Sequence, residues 1–285
     1  MARENIAFLH GQIMTNPKIY QTEDGILTRA ITAIKVLRRP YINGNGEVLG
    51  GKLYVDCPII MTGNEDFIRK FLRMQQGDMI DIKGVLTTRE VTKSTICKKC
   101  GHKNSVLGNS VYITPIYVCK REEKLDTMAG FEILKERNEI SNMFILMGNL
   151  CRPPQFFADE SFNYSTCQYQ IAVNRKYHIR DMGTDERTDY PWIKSFGQQA
   201  KQDALRLREG ATIYVNGGMQ TREIVRSTQC EECGAEYTWK DTASEIIPYS
   251  VEYLTGCNFP EREEKDKEED EAQNDELEKP FLSTI

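Results

Sequence analysis

Gly77-Asp-Met-Ile-Asp-Ile-Lys-Gly84, followed by Thr88-Arg89-Glu90 and Ser94-Thr95-Ile96-Cys97-Lys-Lys-Cys100-Gly101, is written a second time 133 residues downstream. The second version reads Gly210-Ala-Thr-Ile-Tyr-Val-Asn-Gly217, then Thr221-Arg222-Glu223, then Ser227-Thr228-Gln229-Cys230-Glu-Glu-Cys233-Gly234. Eleven of 25 positions are identical and no insertion is needed. The same offset pairs Pro58 with Pro191, and Pro115 and Val118 with Pro248 and Val251. An offset of 137 pairs Asn5 and Gly11 with Asn142 and Gly148. A module of this length is therefore present twice, and each copy carries its own Cys-x-x-Cys.

Each copy spans roughly 115 residues, enough to bury a core without disulfides. The composition, 40% hydrophobic and 28% charged in 285 residues, is that of an ordinary globular protein. No apolar run reaches bilayer length and Met-Ala-Arg-Glu-Asn does not open a signal peptide, so a cytoplasmic protein without a membrane partner is expected. Nine Cys, an odd number, point to reduced thiols with metal-binding potential rather than a disulfide framework. The net charge of −5 is unevenly placed. Residues 261–285 hold eleven Asp/Glu against four Lys/Arg, leaving 33 basic and 31 acidic residues for the rest. The body of the chain is mildly basic, and this alone does not demand a nucleic-acid partner.

Each copy opens on a strand ending in Gly, Asn5–Gly11 and Asn142–Gly148, and continues with alternating strands such as 27–35 and 167–174. Polar loops follow at 42–47 and 180–185, then a strand, then helical spacing over 65–74 and 198–207 closed by Gly77 and Gly210. Two further strands flank the Cys-x-x-Cys. This order predicts an all-β chain of two tandem OB-folds, five-stranded Greek-key barrels with one short helix each. Another small mixed β domain is the alternative on pattern alone. The expected units are 1–119, a charged linker over 120–141 with a short helix near Phe131, a second barrel over 142–256, and a tail over 257–285. Glu261–Glu278 has almost no apolar residues to offset the entropy of ordering and is expected to be disordered.

The second copy resembles the bacterial-type single-stranded DNA-binding proteins. The matching residues are Asn142–Leu150 with Pro153 and Pro154, Ile171–Arg175, Tyr190–Gly197, Leu207–Gly210, Ile213–Gly217 and Met219–Arg222. The first copy matches more weakly, through Gly11, Gly77–Gly84 and Thr88-Arg89. The acidic tail with Pro280-Phe281 resembles the family's partner-recruiting tail, although four residues follow Phe281 here. The resemblance implies barrels that bind single strands without sequence preference and assemble four at a time. With two barrels per chain it implies a homodimer, associated with the nucleoid, whose tail recruits replication and repair proteins.

Binding of this kind needs ring faces for bases and cations for phosphates. The second copy offers Tyr177, Tyr190, Trp192 and Phe196 among Arg175, Lys176, Lys194, Arg222 and Arg226. Tyr177, Tyr190 and Phe196 fall where the resemblance implies stacking rings. Ile224 and Val91 stand where the family often has another ring. Tyr190, Trp192 and Lys194 share one strand face and Ile193 the other, although Trp192 and Phe196 are also suited to closing the barrel. The first copy offers Arg29, Lys35, Arg38, Arg39, Tyr41, Lys52, Tyr54 and Arg89, with Cys57 in place of Tyr190. Any single Lys or Arg among these is equally suited to a solvated surface. Phe8, Phe67, Phe71 and Phe144 are assigned to the core.

A Cys-x-x-Cys turn followed by Gly supplies one edge of a zinc tetrahedron. His102 and Cys119 offer to complete a site in the first copy, but their counterparts Ala235 and Glu252 fail in the second. One zinc shared by Cys97, Cys100, Cys230 and Cys233, within a chain or between chains, is the economical solution. Inert turn thiols and a redox dithiol are the alternatives, the last lacking a strand-to-helix context. Cys57, Cys151, Cys167 and Cys257 are read as buried filler. With only His10, His102 and His178 and no carboxylate cluster, an enzyme is a poor reading. Single-strand DNA binding and protection in replication, recombination and repair leads, and an RNA-binding or translation-associated OB protein is the alternative.

Overall fold

The computed structural model describes residues 4–39, 53–159, 164–175 and 188–259. The two opening segments expected as strands are β1 (Glu4–Ile13) and β8 (Asn142–Leu150). Phe144, Leu146 and Leu150 are buried while Met143, Ile145 and Met147 face outward. The first copy continues with β2 (Lys18–Gln21), β3 (Leu27–Arg38), β4 (Tyr54–Asp56), β5 (Ile59–Thr62), α1 (Glu65–Phe71), β6 (Met79–Ile96) and β7 (Lys103–Glu122). Helices α2 (Thr127–Glu136) and α3 (Asn138–Ser141) lead into β8. The second copy then runs β9 (Gln155–Asp159), β10 (Tyr164–Asn174), β11 (Thr188–Asp189), β12 (Trp192–Phe196), α4 (Gly197–Arg206), β13 (Thr212–Gln229) and β14 (Glu236–Thr255).

Each copy closes on itself as a five-stranded barrel. In the first, β1 pairs with β3 and β6, β6 with β7, β7 in parallel with β5, and β5 with β3. In the second, β8 pairs with β10 and β13, β13 with β14, β14 in parallel with β12, and β12 with β10. This is the expected pair of OB-folds. The helix between the third and fourth barrel strands is α1 or α4. Asn64 caps α1 by accepting from the N–H groups of Asp66 and Phe67 at 3.0 and 3.4 Å. That helix ends at Phe71, three residues short of the expected span, because Leu72 and Arg73 continue as a turn. The repeated Gly84 and Gly217 follow register shifts at Lys83/Gly84 and Asn216/Gly217. A Cβ there would lie 2.7 Å from the Thr114 carbonyl or 2.5 Å from that of Ile247, so both barrels demand glycine at the point where strands cross.

The barrels are joined edge to edge. β1 runs antiparallel to β8, and Ala7 faces Phe144, its own repeat counterpart, with Asn5 opposite Leu146 and Leu9 opposite Asn142. Such pairing is an internal two-fold, the relation expected of an isologous interface but written into one chain. Buried residues of both barrels form one cluster, which includes Ile34, Phe71 and Ile113 from the first and Tyr169, Ile193 and Ile213 from the second. Phe71 and Phe144 are in the core as expected, and Phe67 packs at its edge. Phe8 is not: it lies half-buried on the outer face of β1 with the Lys83 ammonium 5.5 Å from its ring, since Ala7 and Leu9 take the inward positions. The linker is tied down where Gln12 donates to the carbonyls of Leu125 and Asp126, and where Ser141 Oγ bridges the His10 carbonyl and the Leu37 N–H. Among the described residues no helix is long and apolar enough to cross a membrane.

Candidate nucleic-acid interface and cysteine centre

Thr88 and Thr221, which both copies hold, reach across to the opposite barrel. The buried Asp189 carboxylate accepts from the Thr88 N–H at 2.8 Å, from Asn5 Nδ2 at 3.1 Å, and from Arg175 Nε and Nη2 at 2.6 and 2.8 Å. Thr88 Oγ1 in return accepts the Tyr190 N–H at 2.8 Å. The mirror set is Asp56, which accepts from the Thr221 N–H at 2.8 Å and from Arg38 Nε at 3.0 Å, with Thr221 Oγ1 accepting the Cys57 N–H at 2.7 Å. Burial pushes the Asp56 carboxyl up, and Arg38 and the Thr221 N–H pull against it. Arg38 and Arg175, expected to contact nucleic acid, are thereby placed inside buried ion pairs, 7% and 5% exposed. They hold the carboxylates that join the barrels, because a buried carboxylate needs a charge partner more than a surface phosphate does.

Rings gather on the outer face of the second barrel. In β12 Ile193 and Ser195 point inward, and Trp192, Lys194 and Phe196 point out, opposite Gln170, Gln168 and Thr166 of β10. Trp192 and Phe196 therefore do not close the barrel. Tyr190 precedes the strand and is 48% exposed. Lys194 Nζ lies 5.6 Å from the centre of the Phe196 ring, and Tyr164 packs against that ring at 6.3 Å. Phe157, opposite Thr166, extends the row and is 59% exposed. Arg152 places its guanidinium 5.3 Å from the Trp192 ring centre, steadied by a 3.0 Å bond to Gln170 Oε1. Arg152, Phe157 and Tyr164 join this row without having been singled out in the sequence.

The row leads into a cleft of about 510 Å³ between the barrels, where Tyr190, Trp192, Gln170 and Thr188 face Thr88 and Arg89. The remaining expected residues are scattered. Lys35 is buried and donates to the Thr127 carbonyl, and desolvation lowers its pKa. Arg39 pairs with Glu139 at 2.8 Å, Arg222 with Glu245 at 3.1 Å, and Arg226 with Asp241 at 2.8 Å. Arg29 is half-buried on β3, and Tyr54 is exposed with the Arg38 guanidinium 4.7 Å from its ring centre. Tyr41, Lys52, Lys176, Tyr177, Pro280 and Phe281 lie outside the described residues, as does the acidic run 261–278.

Each fourth-to-fifth-strand hairpin extends far past its barrel, and the two tips meet. Between them lie the Lys93–Asp241 ion pair at 2.5 Å and a 2.6 Å bond joining Thr95 Oγ1 and the Tyr237 hydroxyl. Beyond these, the four sulfurs of Cys97, Cys100, Cys230 and Cys233 lie within 4.8 Å of one another. All come from one chain. Two pairs cross between hairpins, Cys97 to Cys233 at 3.8 Å and Cys100 to Cys230 at 3.6 Å. Gly101 and Gly234, at φ of 75° and 65°, complete the turns and return their N–H groups to the carbonyls of Cys97 and Cys230. The Cys233 N–H first, then that of Glu232 and Asn104 Nδ2, draw the Cys230 thiol down to about 6, and the Cys100 N–H does the same in direction for Cys97. Cys100 has help from the His102 N–H, yet desolvation and its three sulfur neighbours push it up to about 12. Cys119 sits on β7 opposite Asp81 and is not one of the four. Of the other thiols, Cys167 and Cys257 are buried as expected, whereas Cys57 and Cys151 are half-buried.

Residues 141–241 match the model of the single-strand binding protein family. Two similar solved structures are both of the single-stranded DNA-binding protein from Thermus aquaticus. A deletion mutant of that protein aligns at TM-score 0.58 and 17% identity, covering 91% of this chain and 98% of that one. The wild-type protein aligns at TM-score 0.57 and 18% identity, covering 91% and 96%. At such identity the likeness is one of fold, two OB barrels in tandem.

Proposed function

We propose that this chain, whose residues 141–241 match the model of the single-strand binding protein family, binds and protects single-stranded DNA without sequence preference and is not an enzyme. The observation that carries the reading is the outward row of Phe157, Tyr164, Phe196, Trp192 and Tyr190, with Lys194 and Arg152 against its rings. Rings interleaved with cations suit stacked bases and a phosphate chain, whatever the base sequence. Arg29, Arg39, Tyr41, Tyr54, Arg89, Lys176, Tyr177, Arg222 and Arg226 are proposed to lie along the same strand. Fluorescence anisotropy with matched DNA and RNA oligomers tests this reading. Tighter binding of DNA is expected. Preference for RNA would move the chain to the translation-associated alternative.

Zinc fits the cysteine centre. A tetrahedron with Zn–S bonds of about 2.3 Å has edges of about 3.8 Å, which the cross-hairpin sulfur distances already match. Cys97, Cys100, Cys230 and Cys233 would hold the ion as four thiolates, leaving no position for water, so its contribution is structural. The outer face of the central sheet carries Phe8, Met143, Ile145, Met147 and Tyr214 partly exposed, which supports a homodimer of four barrels. A native mass spectrum reports both: one zinc per chain and two chains are expected, and zero zinc overturns the centre. The tail from 257 onward is proposed to recruit replication, recombination and repair proteins through Pro280 and Phe281, in the cytoplasm at the nucleoid. Deleting 261–285 is expected to leave or strengthen DNA affinity, and a clear loss would refute that role.

A further inference from the structure

The two hairpin tips are copies of one turn, yet they carry opposite charge. Lys98, Lys99 and Lys103 of the first hairpin occupy the same repeat positions as Glu231, Glu232 and Glu236 of the second, and all six are exposed. Along the strands that lead to the tips the repeat keeps its charges, Arg89 with Arg222, Glu90 with Glu223 and Lys93 with Arg226. The inversion belongs to the tip. The turns are also held in register. Oδ1 of the buried Asn104 accepts the Glu231 N–H at 2.9 Å, and its Nδ2 donates to the Tyr237 hydroxyl at 3.0 Å. The four sulfurs, within 4.8 Å of one another, put the basic and the acidic turn side by side. Even so, none of the six charged groups forms an ion pair with a described residue of its own chain. Two opposite patches are displayed together without neutralising one another.

A partner of one sign fits this end poorly. A phosphate chain drawn to Lys98 and Lys99 meets Glu231 and Glu232 on the neighbouring turn, and a basic partner meets the reverse. The matching surface is one that is itself half basic and half acidic, and a second copy of the tip supplies it. Two copies meeting end to end can be related by either of two two-fold axes. The axis along the line joining the tips sets Lys against Lys, which like-charge repulsion disfavours. The axis perpendicular to that line sets the three Lys of each copy against the three Glu of the other, as an isologous contact requires. We infer that the paired hairpin tips are a self-complementary docking surface for a second copy of this chain. The surface shares no residue with the sheet face proposed for the homodimer, so a chain using both joins dimers end to end. The inference goes beyond the single-strand binding reading and does not depend on it. Exposed ion pairs are individually weak and screened by salt, so the contact is expected at roughly 0.1–1 mM chain and low ionic strength.

Static light scattering of the full chain in that range tests it, at ionic strengths of about 0.01 M and 1 M, where the Debye length falls from roughly 30 to 3 Å. One double variant, Lys98→Glu with Lys99→Glu, has two acidic tips. A second, Glu231→Lys with Glu232→Lys, has two basic ones. A control, Lys18→Glu with Lys201→Glu, makes the same change in net charge as the first at exposed positions away from the tips. The mean mass of the wild type and of the control is expected to rise with concentration at low ionic strength and not at high. Each tip variant alone should associate at least about tenfold more weakly, and an equal mixture of the two should recover the association. A wild-type mass that ignores ionic strength overturns the inference. So do tip variants that associate as the wild type does, a control that loses association, or a mixture that recovers nothing. Carbodiimide coupling of mixed isotope-labelled and unlabelled wild-type chains gives a reading that needs no variant. Amide links from Lys98 or Lys99 of one chain to Glu231 or Glu232 of another are expected, and links within single chains only overturn the contact. No nucleic acid is present, so neither outcome bears on the single-strand binding reading.

Discussion

The two barrels share a plan of construction and differ in what they present to solvent. Glycine at the strand crossing, the buried Arg–Asp pair, the Thr that meets the opposite barrel and the Cys-x-x-Cys turn are present in both. Ring for ring they diverge: Tyr190 and Trp192 stand where the first barrel has Cys57 and Ile59. The lesson is that the repeated residues join the halves, while the unrepeated ones are those proposed to meet a ligand. Repetition in a sequence is therefore a guide to assembly before it is a guide to binding.

The largest effect should come from the shared part. Asp189→Ala leaves Arg175 buried without its carboxylate and is expected to cost about 3–5 kcal/mol in urea denaturation, with Asp56→Ala costing a similar amount. A large loss from one and none from the other would break the equivalence of the two halves. Removing the cysteine centre comes next. Cys230→Ser or strong chelation should release the proposed zinc and lower the melting temperature by about 4–12 °C, at about 2–4 °C per kcal/mol, without unfolding either barrel. A chain that melts unchanged after chelation would leave the hairpin tips joined by their side chains alone.

The unshared part is tested by exchange. Tyr190→Ala should lower affinity for a thymidine oligomer by about 1–3 kcal/mol in an anisotropy titration, and Cys57→Tyr should raise it. If Cys57→Tyr does nothing while Tyr190→Ala does much, the barrels differ by more than the missing ring. The smallest effect belongs to the hairpin pair. Lys93→Ala should cost about 1 kcal/mol or less, since Asp241 keeps Arg226 and the pair is partly exposed. A melting curve reads it.

Much of the fold was legible from residues near one another in the chain. Alternation marked β3 and β10, helical spacing marked α1 and α4, and the offset of 133 residues pointed to two barrels before any contact was known. The four cysteines could be grouped by elimination, because neither copy had a second pair of its own. Arg38 and Arg175 were misread as surface cations because a basic residue at a strand end looks the same whether its partner is a phosphate or a carboxylate 14 or 18 residues away. Phe157 was not singled out because β9, at five residues, is too short to set a period.

By itself the sequence determined that one module occurs twice, that both copies hold the same Gly and Thr-Arg positions, and that each copy brings two thiols on a turn closed by Gly. These are local matters, set by sterics and spacing within a few residues. Only the tertiary structure decided that β1 pairs with β8, that all four sulfurs come from one chain, and that Thr88 holds Tyr190 across 102 positions of sequence. The physical reason is that a hydrogen bond between barrels depends on how two closed sheets meet edge to edge, and no periodicity within either barrel records that meeting.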